Sequence, residues 1–326
     1  MKHVLQCRWL ALLCCLSMLF STPGVWAQNF APGNLVVYRV GTGTAALSGS
    51  ATPVFLDEYT QAGALVRSIA LPTSASGNNR TLTASGSATS EGLLNRSSDG
   101  RYLFLTGYDA AVGTANVSAS ASSTTNRVVA RIAANGTIDA STALADFSTA
   151  NNPRSAISTD GTSIWVTGGA GGIRYTTLGS TSSTQLSTTA TNLRQAAIFN
   201  GQLYVSSSSG TIRIATVGSG TPTTSGQVIT NVPGFPTTGS PYAFFFADLS
   251  PSVAGVDVLY VADDTSPGQI QKYSLVRYFK NIDEVKKNVF ISNVLSCIRY
   301  FGRTYAQHYK QNIPYSSPAR VCINNS

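Results

Sequence analysis

An all-β fold assembled from repeated antiparallel sheet units is what this sequence predicts, and three observations lead there. The first is a block that recurs. Arg154 to Thr167, followed by Gly172-Ile173-Arg174-Tyr175, returns as Arg194 to Ser206, followed by Gly210-Thr211-Ile212-Arg213-Ile214. Each copy reads as a strand, an Asp-Gly or Asn-Gly turn, a second strand, a Gly-rich turn and a third strand. The second observation is turn chemistry, since Asp160-Gly161 and Asn200-Gly201 stand where a two-residue hairpin turn needs positive φ. The third is alternation around Ile164, Val166, Leu203 and Val205, which gives each strand one buried face. Internal repetition on this scale marks a β-propeller or a similar array.

Taken in order, residues 1–27 carry a positive start (Lys2, His3, Arg8), an apolar run from Trp9 to Phe20 and a break at Pro23-Gly24. Val25-Trp26-Ala27 then offers small residues at the two positions a signal peptidase reads, so a secretory signal peptide is expected. Its apolar run is shorter than the ~20 residues of a membrane span. Strands are expected at Leu35–Val40, at Pro53–Tyr59 and at Leu65–Leu71, the last two paired across Gln61-Ala62-Gly63. Residues 73–90 read as a long loop. A third version of the block follows, Asp99-Gly100 running into Tyr102–Thr106, and the Ser-rich stretch 118–125 then leads to Arg127–Ile132 and the turn Asn135-Gly136. The two clear copies fill roughly 154–188 and 194–230. Tyr242–Ala247, Val256–Ala262 and Gly268–Tyr273 open a further unit.

Asp99, Asp160 and Asn200 mark equivalent turns 61 and 40 residues apart. The shorter interval matches one four-stranded blade of ~40–45 residues, and the longer one fits a blade carrying the Ser-rich insertion. Residues 28–276 thus have room for about five to seven four-stranded antiparallel blades. A chain break in style at 276 would leave the last of them one strand short.

Asp-Gly turns running into Ile164-Trp165-Val166-Thr167 or Leu203-Tyr204-Val205-Ser206, with Gly-x-Ile-Arg after them, resemble bacterial secreted β-propellers of the broad YVTN/NHL-like kind. The likeness covers about 35–276. It implies a disc of radially arranged antiparallel sheets, often a module of a larger extracellular protein, with roles that span binding, scaffolding and hydrolysis.

The net charge of +8 is unevenly placed. Residues 28–276 hold 12 basic and 12 acidic side chains, whereas 277–326 hold 8 basic and 2 acidic. A nucleic-acid footprint is therefore not expected of the neutral central region. All five cysteines lie outside it, so its stability has to come from sheet packing rather than a disulfide framework. From Arg277 onward the Gly/Ser/Thr-rich style stops, and Phe279, Ile282, Val285 and Val289, then Ile298, Phe301, Tyr305 and Tyr309, recur at three- and four-residue spacing. That spacing predicts a short, basic helical tail. Two readings of it stand: an amphipathic segment that touches a membrane surface or a partner, or, the favoured one, a segment foreign to the fold.

Both histidines, His3 and His308, also lie outside 28–276. A Ser-His-Asp or Cys-His arrangement cannot be built within that region, nor can a zinc site of the usual His/Cys type. Asp263-Asp264 follow the strand Leu259–Ala262 and could hold Ca²⁺ through hard oxygen ligands, with turn capping as the competing use of the same carboxylates. Asp57-Glu58 reads as a solvated edge, and Gly168–Gly172 as a hairpin turn, since no Lys-Ser/Thr follows. Arg154, Arg174, Arg194 and Arg213 recur with the repeat and could form a ligand-binding ring on one face of the disc; the competing reading puts each on the solvent side of its strand. Trp165, Tyr204 and Tyr260 hold equivalent strand positions and are expected to pack between blades. Asn95-Arg96-Ser97 is one of several N-glycosylation patterns.

The expectation is an exported, non-catalytic β-propeller that binds a protein or glycan partner through one face and needs no cofactor. The alternative is the propeller of an extracellular hydrolase whose catalytic part is missing.

Overall fold

The computed structural model describes residues 29–253, 255–265, 267–275, 279–284, 298–299 and 320–321. The expected signal peptide, at 1–27, lies outside the described residues.

Three strands come first: β1 (Leu35–Val40), β2 (Ala51–Tyr59) and β3 (Leu65–Ala70), antiparallel with β2 between the other two. A short β4 (Thr83–Ser85) lies inside the expected loop 73–90 and joins the start of β2 to the end of the next unit's second strand. Four meanders follow, in each of which every strand pairs antiparallel with its successor. Meander I is β5 (Asn95–Arg96), β6 (Tyr102–Tyr108), β7 (Arg127–Ala133) and β8 (Ile138–Leu144). Meander II is β9 (Pro153–Ser158), β10 (Ser163–Gly168), β11 (Ile173–Thr177) and β12 (Thr184–Gln185). Meander III is β13 (Ala196–Phe199), β14 (Gln202–Ser206), β15 (Ile214–Val217) and β16 (Ile229–Asn231). Meander IV is β17 (Pro241–Ala247), β18 (Val258–Asp263), β19 (Gln269–Leu275) and β20 (Phe279–Glu284). The two-residue β21 (Ile298–Arg299) and β22 (Arg320–Val321) add to the outer edge of β1.

The chain is therefore all-β, with several four-stranded antiparallel sheets. Among the described residues no ladder joins meander IV to the β1–β3 group, so hydrogen bonding does not close the sheets into a ring. The helical tail is corrected where it is described. Phe279 and Ile282 lie in a strand that pairs with β19, and 298–299 and 320–321 are extended as well. Three-residue spacing of apolar side chains could not exclude this, because a fourth strand bonds through its backbone to an edge the meander already offers. The remaining residues of the tail lie outside the described ones.

Burial explains a second departure. Ile164 and Val166 pack on Phe104, Val129, Leu144 and Phe147 of the meander I side, whereas Trp165 packs with Leu203, Val205 and Ala215 of meander III. Each inner sheet thus has two buried faces, not one. Alternation survives in the sequence as large aliphatic against aromatic, not as apolar against polar. Phe244, Phe246, Leu259 and Val261 fill the corresponding space between meanders III and IV, with Ala197 and Ile214 facing them.

The turns divide in the same physical way. Asn200 and Gly201 both have positive φ, 46° and 73°, and join β13 to β14 as a two-residue hairpin. At Asp160-Gly161 the connection is longer and only Gly161 is positive, at 91°. There the Asp160 carboxylate accepts the Thr162 and Ser163 N–H groups at 2.8 and 2.9 Å, so the side chain closes the turn in place of a second left-handed residue.

Asp57 and Glu58 are not a solvated edge. Both are buried on β2, pointing to opposite faces as neighbours on a strand must. Asp57 takes Nε and Nη2 of Arg39 at 2.5 and 3.1 Å; Glu58 takes Nε of Arg67 at 2.6 Å, together with the Ala31 N–H and the Asn34 amide. Each guanidinium also lies over a ring, Arg39 over Phe55 and Arg67 over Phe30.

Candidate functional site

The first and third strands of an antiparallel meander run the same way, so their starts lie at one end of the sheet. Arg154 is the second residue of β9 and Arg174 the second of β11, while Arg194 and Arg213 just precede β13 and β15. The four predicted arginines therefore share one end of the sheets. Arg127, which opens β7, belongs with them, since it holds the same third-strand start as Arg174, although it lies outside the two clear copies of the repeat.

At this end the first strands of the meanders meet. Leu93, just ahead of β5, bridges in parallel to Ser155 of β9, and its N–H donates to the Arg154 carbonyl. The buried Asn95 amide donates to Ser155 Oγ and the Ala156 carbonyl at 2.8 Å and reaches the Ala196 carbonyl at 3.3 Å. Gln195 Nε2 donates to Asn95 Oδ1 at 3.0 Å, and Gln195 Oε1 accepts the Phe244 N–H at 2.7 Å. Residues a hundred positions apart in sequence thus tie all four meanders together through two amide side chains. The line along which the first strands meet is filled by protein. Asn95 matched a glycosylation pattern, but its side-chain nitrogen is buried and already donating, so in the folded chain it is a structural group.

Above this plug lie two of the predicted arginines. Arg194 Nη1 donates to the Ser240 and Pro241 carbonyls and to Asp264 Oδ1 at 3.1 Å, with its guanidinium over the Tyr242 ring. Tyr242 in turn donates to the Thr89 carbonyl at 2.7 Å, 153 residues away, and packs with Tyr38, Leu93 and Leu94. Among the described residues Arg154 makes its side-chain hydrogen bonds through Nη1 alone, to Asn192 Oδ1 at 2.5 Å and the Leu193 carbonyl at 3.0 Å. Burial, aided by the like charge of Arg194, holds the Arg154 guanidinium below its ordinary pKa.

Beside them is a second buried cluster that no sequence signal announced. Glu91 accepts the Tyr108 hydroxyl at 2.5 Å and the Asn152 amide through one oxygen, and the Ser85 N–H through the other. Burial first, and then the Glu91 charge, drives the Tyr108 hydroxyl far above its ordinary pKa, so it stays a donor. Arg127, with no exposed surface, donates to the carbonyls of Ser120, Thr125, Ser148 and Asn151 and lies over the Tyr108 ring. It anchors the Ser-rich insertion 118–125 to the loop before β9.

The other predicted residues are placed differently. Arg174 pairs with Asp146 at 3.0 Å and Ser183, stapling the end of meander I to meander II. Arg213 is buried and donates to its own loop, at the Gly210 and Ile212 carbonyls. The expected ring is thus two central arginines, with Arg174 stapling two meanders and Arg213 closing its own loop outside them. Asp263 accepts the Ser240 and Thr265 N–H groups at 2.9 and 2.8 Å, and Asp264 faces Arg194. Those are turn-capping and ion-pair uses, and among the described residues no three His, Cys, Asp or Glu side chains gather as metal ligands. Among the described residues no helix is long and apolar enough to cross a membrane.

No family model matches the chain, and no curated protein matches it. Among solved structures, it is similar to the crystal structure of the computationally designed Ika8 protein, at 9% identity and a TM-score of 0.32 over 91% of this chain and 98% of that one. A likeness that faint carries no argument about function.

Proposed function

We propose that this chain is an exported, non-catalytic β-propeller that binds a protein or glycan partner through the end of its sheets that carries Arg154 and Arg194. The propeller reading rests on the convergence of the first strands of meanders I to IV on one line and on apolar cores that lie between successive sheets. Meander IV returns to the β1–β3 group through Tyr242 rather than through a ladder. The β1–β3 group with the four meanders makes five units, at the low end of the number expected. Residues 1–27 direct export.

The observation that carries the binding assignment is the gathering of five arginines at the strand starts of one end, with Arg154 and Arg194 nearest the filled axis. Arg127, Arg154, Arg174, Arg194 and Arg213 all sit at strand starts on that end, above an axis filled by Asn95 and Gln195. A filled axis leaves a ligand on the face instead of letting it pass through. Binding of the full chain to arrayed glycans and to extracellular proteins tests this, with two bulky substitutions as probes. Ser209→Trp stands exposed in the loop before Arg213, and Ser225→Trp stands exposed in the loop between β15 and β16 at the opposite end. Loss of binding in Ser209→Trp with retention in Ser225→Trp is expected. The reverse pattern, or substrate turnover, would sink the reading.

A further inference from the structure

The chain contains its own standard for how an arginine receives a carboxylate. Arg39 presents the edge formed by Nε and Nη2 to the two oxygens of Asp57, at 2.5 and 3.1 Å. Arg154 has the same edge free. Its two hydrogen bonds both leave from Nη1, and Nε is buried without a partner among the described residues. A buried unpaired donor of this kind costs about 1–3 kcal/mol, and nearby protein groups do not relieve it. A Cβ at Gly169 would collide with Asn151 Oδ1 and stand 3.2 Å from Nη2, so the glycine makes room for the Asn151 amide and leaves Nη2 unobstructed on that side.

The charges around Arg154 point the same way. Among the described residues Glu91 acts on both Arg127 and Arg154, Asp264 pairs with Arg194, and Arg194 repels Arg154, so Arg154 has no carboxylate paired to it. The surrounding groups are donors too. Asn192 uses its oxygen to accept from Arg154, and Asn151 uses its oxygen to accept from the Asn152 N–H, so the amino groups of both amides are without partners among the described residues. An acceptor-rich monoanion fits this set, and the surroundings of Asn151, Gly169 and Asn192 offer amide groups instead of an apolar pocket for a peptide side chain.

We infer that Arg154 is the anchor of a carboxylate subsite for an acidic glycan, with the uronate group lying against Nε and Nη2 and the Asn151 and Asn192 amides taking neighbouring sugar oxygens. This rests on the face proposed above as the binding surface and names what it holds. The test is calorimetric titration of the full chain with trigalacturonate, with neutral galactotriose and with triglutamate, at low and moderate salt. Trigalacturonate binds, salt weakens it, and the other two bind at least tenfold more weakly. Arg154→Gln lowers trigalacturonate affinity about 10- to 100-fold, the range of a hydrogen-bonded charge, and Arg154→Lys falls between because it keeps the charge but loses the fork. Asn192→Asp serves where Arg154→Gln fails to fold, since it sets a carboxylate beside the guanidinium and should abolish binding without lowering the melting temperature. Equal binding of acidic and neutral sugars, a preference for triglutamate, no binding of trigalacturonate, or an unchanged affinity in both Arg154→Gln and Asn192→Asp would each overturn the inference. If Ser209→Trp abolishes partner binding while Arg154→Gln does not, the face stands and only this subsite falls.

Discussion

In the β1–β3 group two carboxylates stand next to each other on one buried strand, Asp57 and Glu58, and each is met by its own arginine on its own side of the sheet. Between the meanders the equivalent space is filled by rings and branched aliphatic chains, as where Trp165 lies 5.4 Å from Tyr175 or Tyr204 lies 4.7 Å from Phe246. The difference follows from position in the stack. A sheet with a neighbour on each side buries apolar surface on both faces at no electrostatic cost. The first group must also hold the N-terminal segment, and Glu58 does so by accepting the Ala31 N–H and the Asn34 amide. The first region depends on paired charge and so on pH, whereas the second depends on volume.

The largest effect that would separate the two regions is in the apolar one. Trp165→Ala removes a side chain with 2% exposure between meanders II and III and should cost about 4 kcal/mol, read from urea unfolding. A loss under 1 kcal/mol would mean those sheets are not packed as described. Glu58→Ala comes next. It removes the carboxylate that Arg67 meets and frees residues 30–34, for a loss of about 3 kcal/mol. Here pH gives a sharper reading. Burial pushes the Glu58 carboxyl up, but the Ala31 N–H, the Asn34 amide and the Arg67 guanidinium outweigh it and hold its pKa below the ordinary value. The stability it contributes is therefore complete above the unfolded-state pKa of ~4.3 and drains away as pH falls through the lower folded-state value. Unfolding curves from pH 6 to 3 should show this decline in the wild type and a smaller one in Glu58→Gln; parallel curves would remove Glu58 from the account.

Asn95→Ala probes the junction where the meanders meet, and about 2 kcal/mol should be lost because Gln195 Nε2 and the Ala156 carbonyl are left buried and unpaired. Additivity of Asn95→Ala and Gln195→Ala in a double-mutant cycle would break the claim that they act as a unit. The smallest effect belongs to the hairpins. Gly201→Ala meets no atom within 4 Å and should cost only its left-handed backbone, about 1 kcal/mol. Gly161→Ala also drives a Cβ to 2.5 Å from the Tyr102 ring of meander I and should cost more. Equal losses would show that the Tyr102 contact is absent.

Much of the sheet pattern could be read directly from residue order. Leu35–Val40 is β1 at both ends, and the Asp99, Asp160 and Asn200 turns do open equivalent hairpins in meanders I, II and III. What misled was local: β4 and β20 are strands only because an edge was waiting for their backbones, and neither carries a pattern of its own. The candidate site was half legible. Repetition brought out Arg154 and Arg194 but could not separate them from Arg174, which pairs with Asp146, or from Arg213, which bonds its own loop. Glu91 and Tyr108 stand in no motif and Asn95 only in a glycosylation pattern, since each finds a partner more than fifteen residues away or in another sheet.

Residue order by itself determined the strands, the turns and their recurrence, because φ preferences and alternation act within a few neighbours. Tertiary structure alone decided that sheets are buried on both faces, that Asp57 and Glu58 are paired and that Asn95 meets Gln195. It also decided that the two central arginines differ, Arg194 taking Asp264 while Arg154 keeps its Nε without a partner among the described residues. These depend on which side chains arrive from distant parts of the chain, and the free energy of a charge or an amide is set by that company rather than by its neighbours in sequence.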